Sequence, residues 1–238
     1  MKNTVLKLRS VAKKKVRRVA EFGGIRQQSL DQYQNSVKRM YDGPQGAVLK
    51  FSSLFSLHEP LMGQLFRSGR FDASRFQTIL DVGSGAGQIM RHLLEVANPD
   101  AQIIGFDLSA EMLRRARGRL KSDRPCFVAA DVMNLPFQDN SFDCITCGYV
   151  LEHLPDPVPG LEEFARVLKP GGVGLLLATE DSFYGFITSR TWKCRTFTRD
   201  ELREACAGAG LAWEKELWFT RFHEVMRLGG ILVEVSKR

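Results

Sequence analysis

Asp81-Val82-Gly83-Ser84-Gly85-Ala86-Gly87 ends a short apolar run at 78–82 and opens a stretch of helical spacing at 89–96. Glycines between a strand and a helix let the backbone turn tightly and approach a ligand closely. The helix that follows presents its first amides to an anionic group. A dinucleotide-binding fingerprint would need Gly-x-Gly-x-x-Gly. Counted from Gly83 its third glycine falls on Gln88, and counted from Gly85 it falls on Met90, so that reading fails in both registers. The Lys-Ser/Thr pair of a nucleotide-hydrolase phosphate loop is also missing.

Outward from this loop the pattern keeps alternating. Strand patterns at 102–106, 126–130, 142–147 and 173–178 are interleaved with helical patterns at 111–120 and 161–168. Such alternation implies a parallel sheet with helices on both faces, and right-handed crossovers leave few topologies. The tail differs: a helix at 200–207 precedes two strand-like runs at 211–219 and 230–235, which suggests a closing antiparallel hairpin without a helix between its strands. Before the loop, 28–70 reads as helical with breaks, and Pro60 fits the first turn of a helix carrying Leu61, Met62, Leu65 and Phe66.

Composition narrows the class. The chain has 238 residues, 44% apolar and 26% charged, which is ordinary for a globular protein and excludes collagen-like, low-complexity or wholly disordered chains. No uncharged apolar run reaches the roughly 18 residues that a membrane span needs. Five cysteines without scaffold spacing argue against a secreted disulfide framework and for a reducing, cytoplasmic setting.

The charge is uneven. Of 34 basic residues, 8 lie in residues 1–19, where there is no acid, and the remainder holds 26 basic and 27 acidic residues. The basic balance therefore belongs to an N-terminal arm, and a broad nucleic-acid-binding face on the body is disfavoured. Val5, Leu8, Ala12, Val16 and Val19 recur at helical steps among those bases. The arm can lie on an anionic membrane surface, act as a targeting segment, touch nucleic acid, or remain a solvated tail.

Two carboxylates continue the site. Asp107 ends the strand after the loop, in Gly105-Phe106-Asp107-Leu108-Ser109. It can accept both hydroxyl hydrogens of a ribose or cap the next helix, a task that Ser109 can also perform. Asp131 follows the third strand, ahead of Leu135-Pro136-Phe137, and can accept from an exocyclic amine such as that of adenine. Ligands of open α/β sheets bind at this carboxyl edge.

In order and spacing these features resemble the class I S-adenosylmethionine-dependent methyltransferases, in particular the small-molecule group called methyltransferase type 11. Ser141-Phe142-Asp143, Leu151-Glu152-His153-Leu154-Pro155-Asp156 and Leu168-Lys169-Pro170-Gly171-Gly172 carry the resemblance on through about residue 180. It implies an α/β, Rossmann-like, seven-stranded, mostly parallel sheet with an antiparallel last strand. It also implies S-adenosyl-L-methionine as cofactor. Carried over by position, Gly83, Ser84, Gly85 and Gly87 line the methionine end, while Asp81 braces the loop or reaches the amino group through water. Asp107 holds the ribose and Leu108 flanks the adenine. Asp131 takes the adenine amine beside Val132 and Met133, and Cys147 and Gly148 sit near the sulfonium.

The expected organisation is a basic amphipathic arm at 1–24, a helical cap or substrate-lid segment at 25–70, and the cofactor-binding domain at 71–238. Tyr149 and His153 are the candidate catalytic residues, as a base for a weakly acidic acceptor. The alternative for Glu152 and His153 is structural, tying their loop to the neighbouring helix. Some quinone O-methyltransferases that this segment resembles carry Glu where Tyr149 stands and hold a metal there, so no metal is expected. Cys144 and Cys147 form Cys-x-x-Cys only by letter, since strand positions i and i+3 face opposite sides.

The acceptor wall is expected from 28–66 and 181–195, with Phe183, Tyr184, Phe186 and Trp192 suited to a flat or greasy molecule. The function expected is methyl transfer to a small, apolar or aromatic metabolite, with a quinone or isoprenoid-lipid precursor as the best single guess and residues 1–19 as a peripheral membrane contact. Nucleic-acid or protein methylation docked by the arm, and a non-catalytic cofactor-binding module, are the alternatives.

Overall fold

The computed structural model describes residues 58–182, 185–186, 189–190, 194–226 and 228–238. The arm at 1–24 and the cap segment up to residue 57 lie outside the described residues, as do Phe183, Tyr184, Trp192 and the side chain of His58.

Seven strands form one sheet in the order β3-β2-β1-β4-β5-β7-β6. They are β1 Thr78–Val82, β2 Gln102–Asp107, β3 Cys126–Ala129, β4 Phe142–Gly148, β5 Leu168–Ala178, β6 Leu211–Glu216 and β7 Ile231–Lys237. The first five are parallel, and β7 runs antiparallel to both β5 and β6. The helices are α1 His58–Arg67, α2 Gln88–Val96, α3 Ala110–Leu120, α4 Val158–Val167, α5 Arg199–Gly208 and α6 Arg221–Met226. From β1 the chain steps one way to β2 and β3, and from β4 the other way to β5. Right-handed crossovers in opposite directions place their helices on opposite faces. Met62, Leu65 and Phe66 of α1 and Met90 and Leu93 of α2 share one core with Ile79, Ile103, Cys144, Leu175 and Leu177 of the sheet.

Three local differences from the sequence expectation have plain causes. Helix α4 begins at Val158 rather than 161, because Pro159 fits a first turn that needs no amide donor there. Strand β5 begins at Leu168 and bulges before Val173, with Gly171 at φ 75°. The expected helix-free hairpin is corrected: its antiparallel pairing holds, but the six-residue α6 stands between its strands. Strand β6 stops at Glu216, Leu217 and Phe219 turn into the core, and Thr220 Oγ1 accepts from the His223 amide at 3.3 Å to start the helix. No helix among the described residues is long and apolar enough to cross a membrane.

Candidate functional site

The glycine loop leaves β1 where β1 lies between β2 and β4, at the point where the strand order reverses. Gly83, Gly85 and Gly87 have φ of 72°, 54° and 82°, a region that side-chain-bearing residues enter at a cost. Gly83 also has no room for a side chain, since an added Cβ would sit 2.1 Å from Val150 Cγ2. The amides of Gly83 and Ser84 both donate to the Phe106 carbonyl, at 2.8 and 2.9 Å, which ties the loop to β2. Gly87 is the N-cap of α2 and has no side chain to accept from the first amides of that helix.

Asp81 lies wholly buried beneath this loop. Ser84 Oγ donates to its Oδ2 at 2.6 Å and Thr146 Oγ1 to its Oδ1 at 2.8 Å. Desolvation pushes its carboxyl up to about 6 despite both hydroxyls. Asp81 thus braces the loop and joins β1 to β4, where Thr146 is its register partner.

Asp107 ends β2 half-buried, accepting from the Gly85 amide on Oδ2 and from the Ser109 amide on Oδ1, both at 2.9 Å. Ser109 caps α3 through the Met112 amide, so the capping task falls to the serine. Beyond β3, the Ala130 amide donates to the Asp107 carbonyl at 3.1 Å, and Asp131 Oδ1 accepts from the Met133 amide at 3.0 Å. Leu108 and Met133 are half-buried and Val132 is buried. The residues expected at the methionine, ribose and adenine positions therefore converge along the ends of β1, β2 and β3.

Strand β4 ends at Cys147 and Gly148. Cys147 pairs with Val82, and burial pushes its thiol well up. A Cβ on Gly148 would meet Ile89 Cδ1 at 2.7 Å, so α2 packs directly on the strand end. Tyr149 follows with φ 58°, its amide bonded to the Leu177 carbonyl at 3.0 Å and its ring against the α1 core. A short 3₁₀ turn, Leu151–His153, carries the next two polar groups. Glu152 is buried, with Oε1 accepting from Thr179 Oγ1 at 2.7 Å and Oε2 without a hydrogen-bond partner. It ties its loop to the end of β5, not to a helix as the structural alternative expected. Desolvation pushes its carboxyl up to about 7, and pushes the His153 imidazole down to about 4. Cys144 and Cys147 are both free, buried thiols.

Sequence reasoning missed Thr146, Val150 and Thr179. Each acts on a residue that a motif did reveal, but from a part of the chain distant in sequence. The remaining signposts serve stability. Arg166 of α4 donates to the carbonyls of Leu135 and Phe137, and Glu163 accepts from the Leu135 amide, which clamps Leu135-Pro136-Phe137 to α4.

A parallel sheet with this switch point, glycine loop and pair of strand-end carboxylates defines a Rossmann-like nucleoside-cofactor domain. Residues 80–176 match the family described as Methyltransferase domain, of the type 11 group. The chain is 29% identical over 154 residues to the demethylmenaquinone methyltransferase of Geobacillus stearothermophilus, covering 63% of this chain and 66% of that protein. It is 40% identical over 101 residues to the same-named protein of Staphylococcus carnosus, covering 42% of each. Less than two thirds of either relative is matched. The fold is shared with the S-adenosylmethionine-dependent methyltransferase of Mesorhizobium loti, at a TM-score of 0.57 and 19% identity over 76% of this chain and 98% of that one. The domain is a class I S-adenosylmethionine-dependent methyltransferase domain of the type 11 group. It is a transferase domain, and its cofactor is S-adenosyl-L-methionine.

Proposed function

We propose that the protein transfers a methyl group from S-adenosyl-L-methionine to a small apolar or aromatic acceptor, a quinone or isoprenoid-lipid precursor. The observation that carries the acceptor class is the local likeness to two demethylmenaquinone methyltransferases.

The donor set suits the cofactor. Backbone at Gly83, Ser84, Gly85 and Gly87 receives the methionine end. Asp107 receives the ribose diol, since each carboxylate oxygen accepts more than one hydrogen. Asp131, Val132 and Met133 receive the adenine with Leu108, and Cys147 and Gly148 border the reacting end. The cofactor supplies an electrophilic sulfonium methyl. The chain holds the acceptor in line with it and excludes water. Burial keeps His153 uncharged at neutral pH, so a ring nitrogen is able to take the acceptor's proton, and Tyr149 orients the acceptor.

The test follows methyl label from S-adenosylmethionine into an extract of the source cells, split into organic and aqueous fractions. Label in the organic phase, lost in His153→Asn and reduced in Tyr149→Phe, is the expected result. Label confined to the aqueous phase overturns the apolar acceptor.

A further inference from the structure

The glycine loop is held from two sides. Its first half is tied to β2, through the amides of Gly83 and Ser84 on the Phe106 carbonyl and of Gly85 on Asp107. Its second half is met by the last turn of α3. Arg119 Nη1 donates to the Ala86 carbonyl at 3.3 Å, and a Cβ on Gly87 would meet Leu120 Cδ1 at 3.1 Å, so α3 packs directly on the loop. The ladder of α2 begins with the Arg91 amide on the Gly87 carbonyl at 3.0 Å. The Ala86 carbonyl precedes that ladder and takes its partner from 33 residues away.

The Arg119 guanidinium is itself held. Its Nη2 pairs with Glu59 Oε1 in the first turn of α1, and Arg91 Nη2 of α2 reaches the same oxygen at 3.2 Å. Close packing fixes α1 on α2, where a Cβ on Gly63 would sit 2.6 Å from the His92 ring. One planar fork thus spans a carboxylate on α1 and a carbonyl in the loop, a task that suits the rigid donors of a guanidinium.

An isolated ion pair at this exposure would add little. What sets Arg119 apart is its second partner. Arg114 and Arg115 pair with Glu111 of their own helix, whereas Arg119 reaches out of its helix to the loop. Gly85 and Gly87 flank Ala86 at left-handed φ of 54° and 82°. Glycine backbone resists rotation little, so outside groups must set the peptide planes there. With the Gly87 amide on the Ser84 carbonyl at 2.8 Å and the Ala86 carbonyl on Arg119, the Ala86–Gly87 peptide is fixed at both ends. That peptide leads into the first amides of α2, so its plane sets where they point.

We propose that Arg119, oriented by Glu59, is a positioning residue for cofactor binding, fixing the Ala86–Gly87 peptide so that the loop is preorganised for the methionine end of S-adenosyl-L-methionine. This role rests on the placement of the loop at that end, proposed above.

The test is calorimetric titration of the full chain with S-adenosylmethionine and with 5′-methylthioadenosine, which keeps the nucleoside and lacks the amino-acid end. Arg119→Gln is expected to bind S-adenosylmethionine about tenfold more weakly, as loss of a charged donor to a carbonyl dictates, and 5′-methylthioadenosine within about twofold of wild type. Glu59→Gln is expected to lose about threefold, and the double variant no more than Arg119→Gln, because the two act as one unit. Arg114→Gln removes the same charge from the same helix at a side chain paired with Glu111, and is expected to bind both ligands as wild type does. Equal losses for the two ligands in Arg119→Gln, or a matching loss in Arg114→Gln, assign the effect to stability or to net charge and overturn the proposal. So do additive losses in the double variant, or wild-type affinity in Arg119→Gln. Asp107→Ala separates this role from the site on which it rests, since it is expected to weaken both ligands. Unchanged affinity there overturns the ribose placement whatever Arg119 does, whereas a loss there with none in Arg119→Gln sinks only the positioning role.

Discussion

At the amino edge of the sheet the Asp143 carboxylate accepts from the amides of Gln77 and Thr78, from Thr78 Oγ1, and from Lys169 Nζ at 2.7 Å. At the carboxyl edge Glu152 has Thr179 on one oxygen and nothing on the other. Partial burial works to raise Asp143, but Lys169, Thr78 and the amides outweigh it and hold its carboxyl below the ordinary range. Deeper burial without a cation raises Glu152, and Asp81 likewise. One sheet thus holds its carboxylates in opposite ways at its two ends. Asp143 locks the starts of β1, β4 and β5 together, while the other end keeps buried acids with only hydroxyl and amide partners beside a ligand edge.

Substitutions at the two edges should separate into effects on binding or titration and effects on stability. The largest change is expected from Asp107→Ala. Two charge-assisted bonds to a diol, at about 1.5–3 kcal/mol each, set a loss of cofactor affinity on the order of 100-fold or more. Calorimetric titration reads it directly, and wild-type affinity in the variant would remove Asp107 from the site. Gly83→Ala combines a left-handed φ with a clash on Val150, so unfolding free energy should drop by about 3 kcal/mol. Adding Val150→Ala should restore only the steric share, because the backbone strain remains. Full restoration in denaturant unfolding would mean that φ is not limiting.

Glu152→Gln probes the sign of the buried charge. Between about 4.5, its ordinary value, and 7, the folded state keeps a proton that the unfolded chain has released. Stability from this group is therefore present at low pH and lost as pH rises through that window. Above pH 7 the glutamine variant should be more stable than wild type, on the order of 2 kcal/mol, with a flatter profile over the window. His153 acts with the opposite sign, losing stability as pH falls from 6.5 toward about 4. Parallel wild-type and variant profiles would contradict a protonated Glu152. The smallest effect is expected from Asp143→Asn: about 1–2 kcal/mol of stability above the ordinary carboxylate range, shrinking as pH falls below it, with cofactor affinity within twofold of wild type. A large affinity loss there would break the contrast between the edges.

Much of this was legible in the chain. The strand at 78–82 and the cores of β2 to β4 follow from apolar runs bounded by turn residues. The loop's three left-handed positions follow from three glycines, and the convergence of Asp81, Asp107 and Asp131 follows from each standing at or just past the carboxyl end of one of three adjacent parallel strands. Less was legible after β5. A pattern of Leu217 and Phe219 looks the same whether the residues extend a strand or turn into a core, and only the buried cluster that they share with residues of α1, α2 and the sheet selects the second. Asp81–Thr146 and Glu152–Thr179 were also hidden, since 65 and 27 residues separate the partners.

The sequence by itself determined the fold class and the identity of the groups along the carboxyl edge of the sheet, because glycine conformational freedom and hydrophobic periodicity are local properties. Tertiary structure alone decided which of those groups carry charge and which face water. Burial, cross-strand register and the inward turn of Leu217 and Phe219 are set by residues brought together from distant parts of the chain.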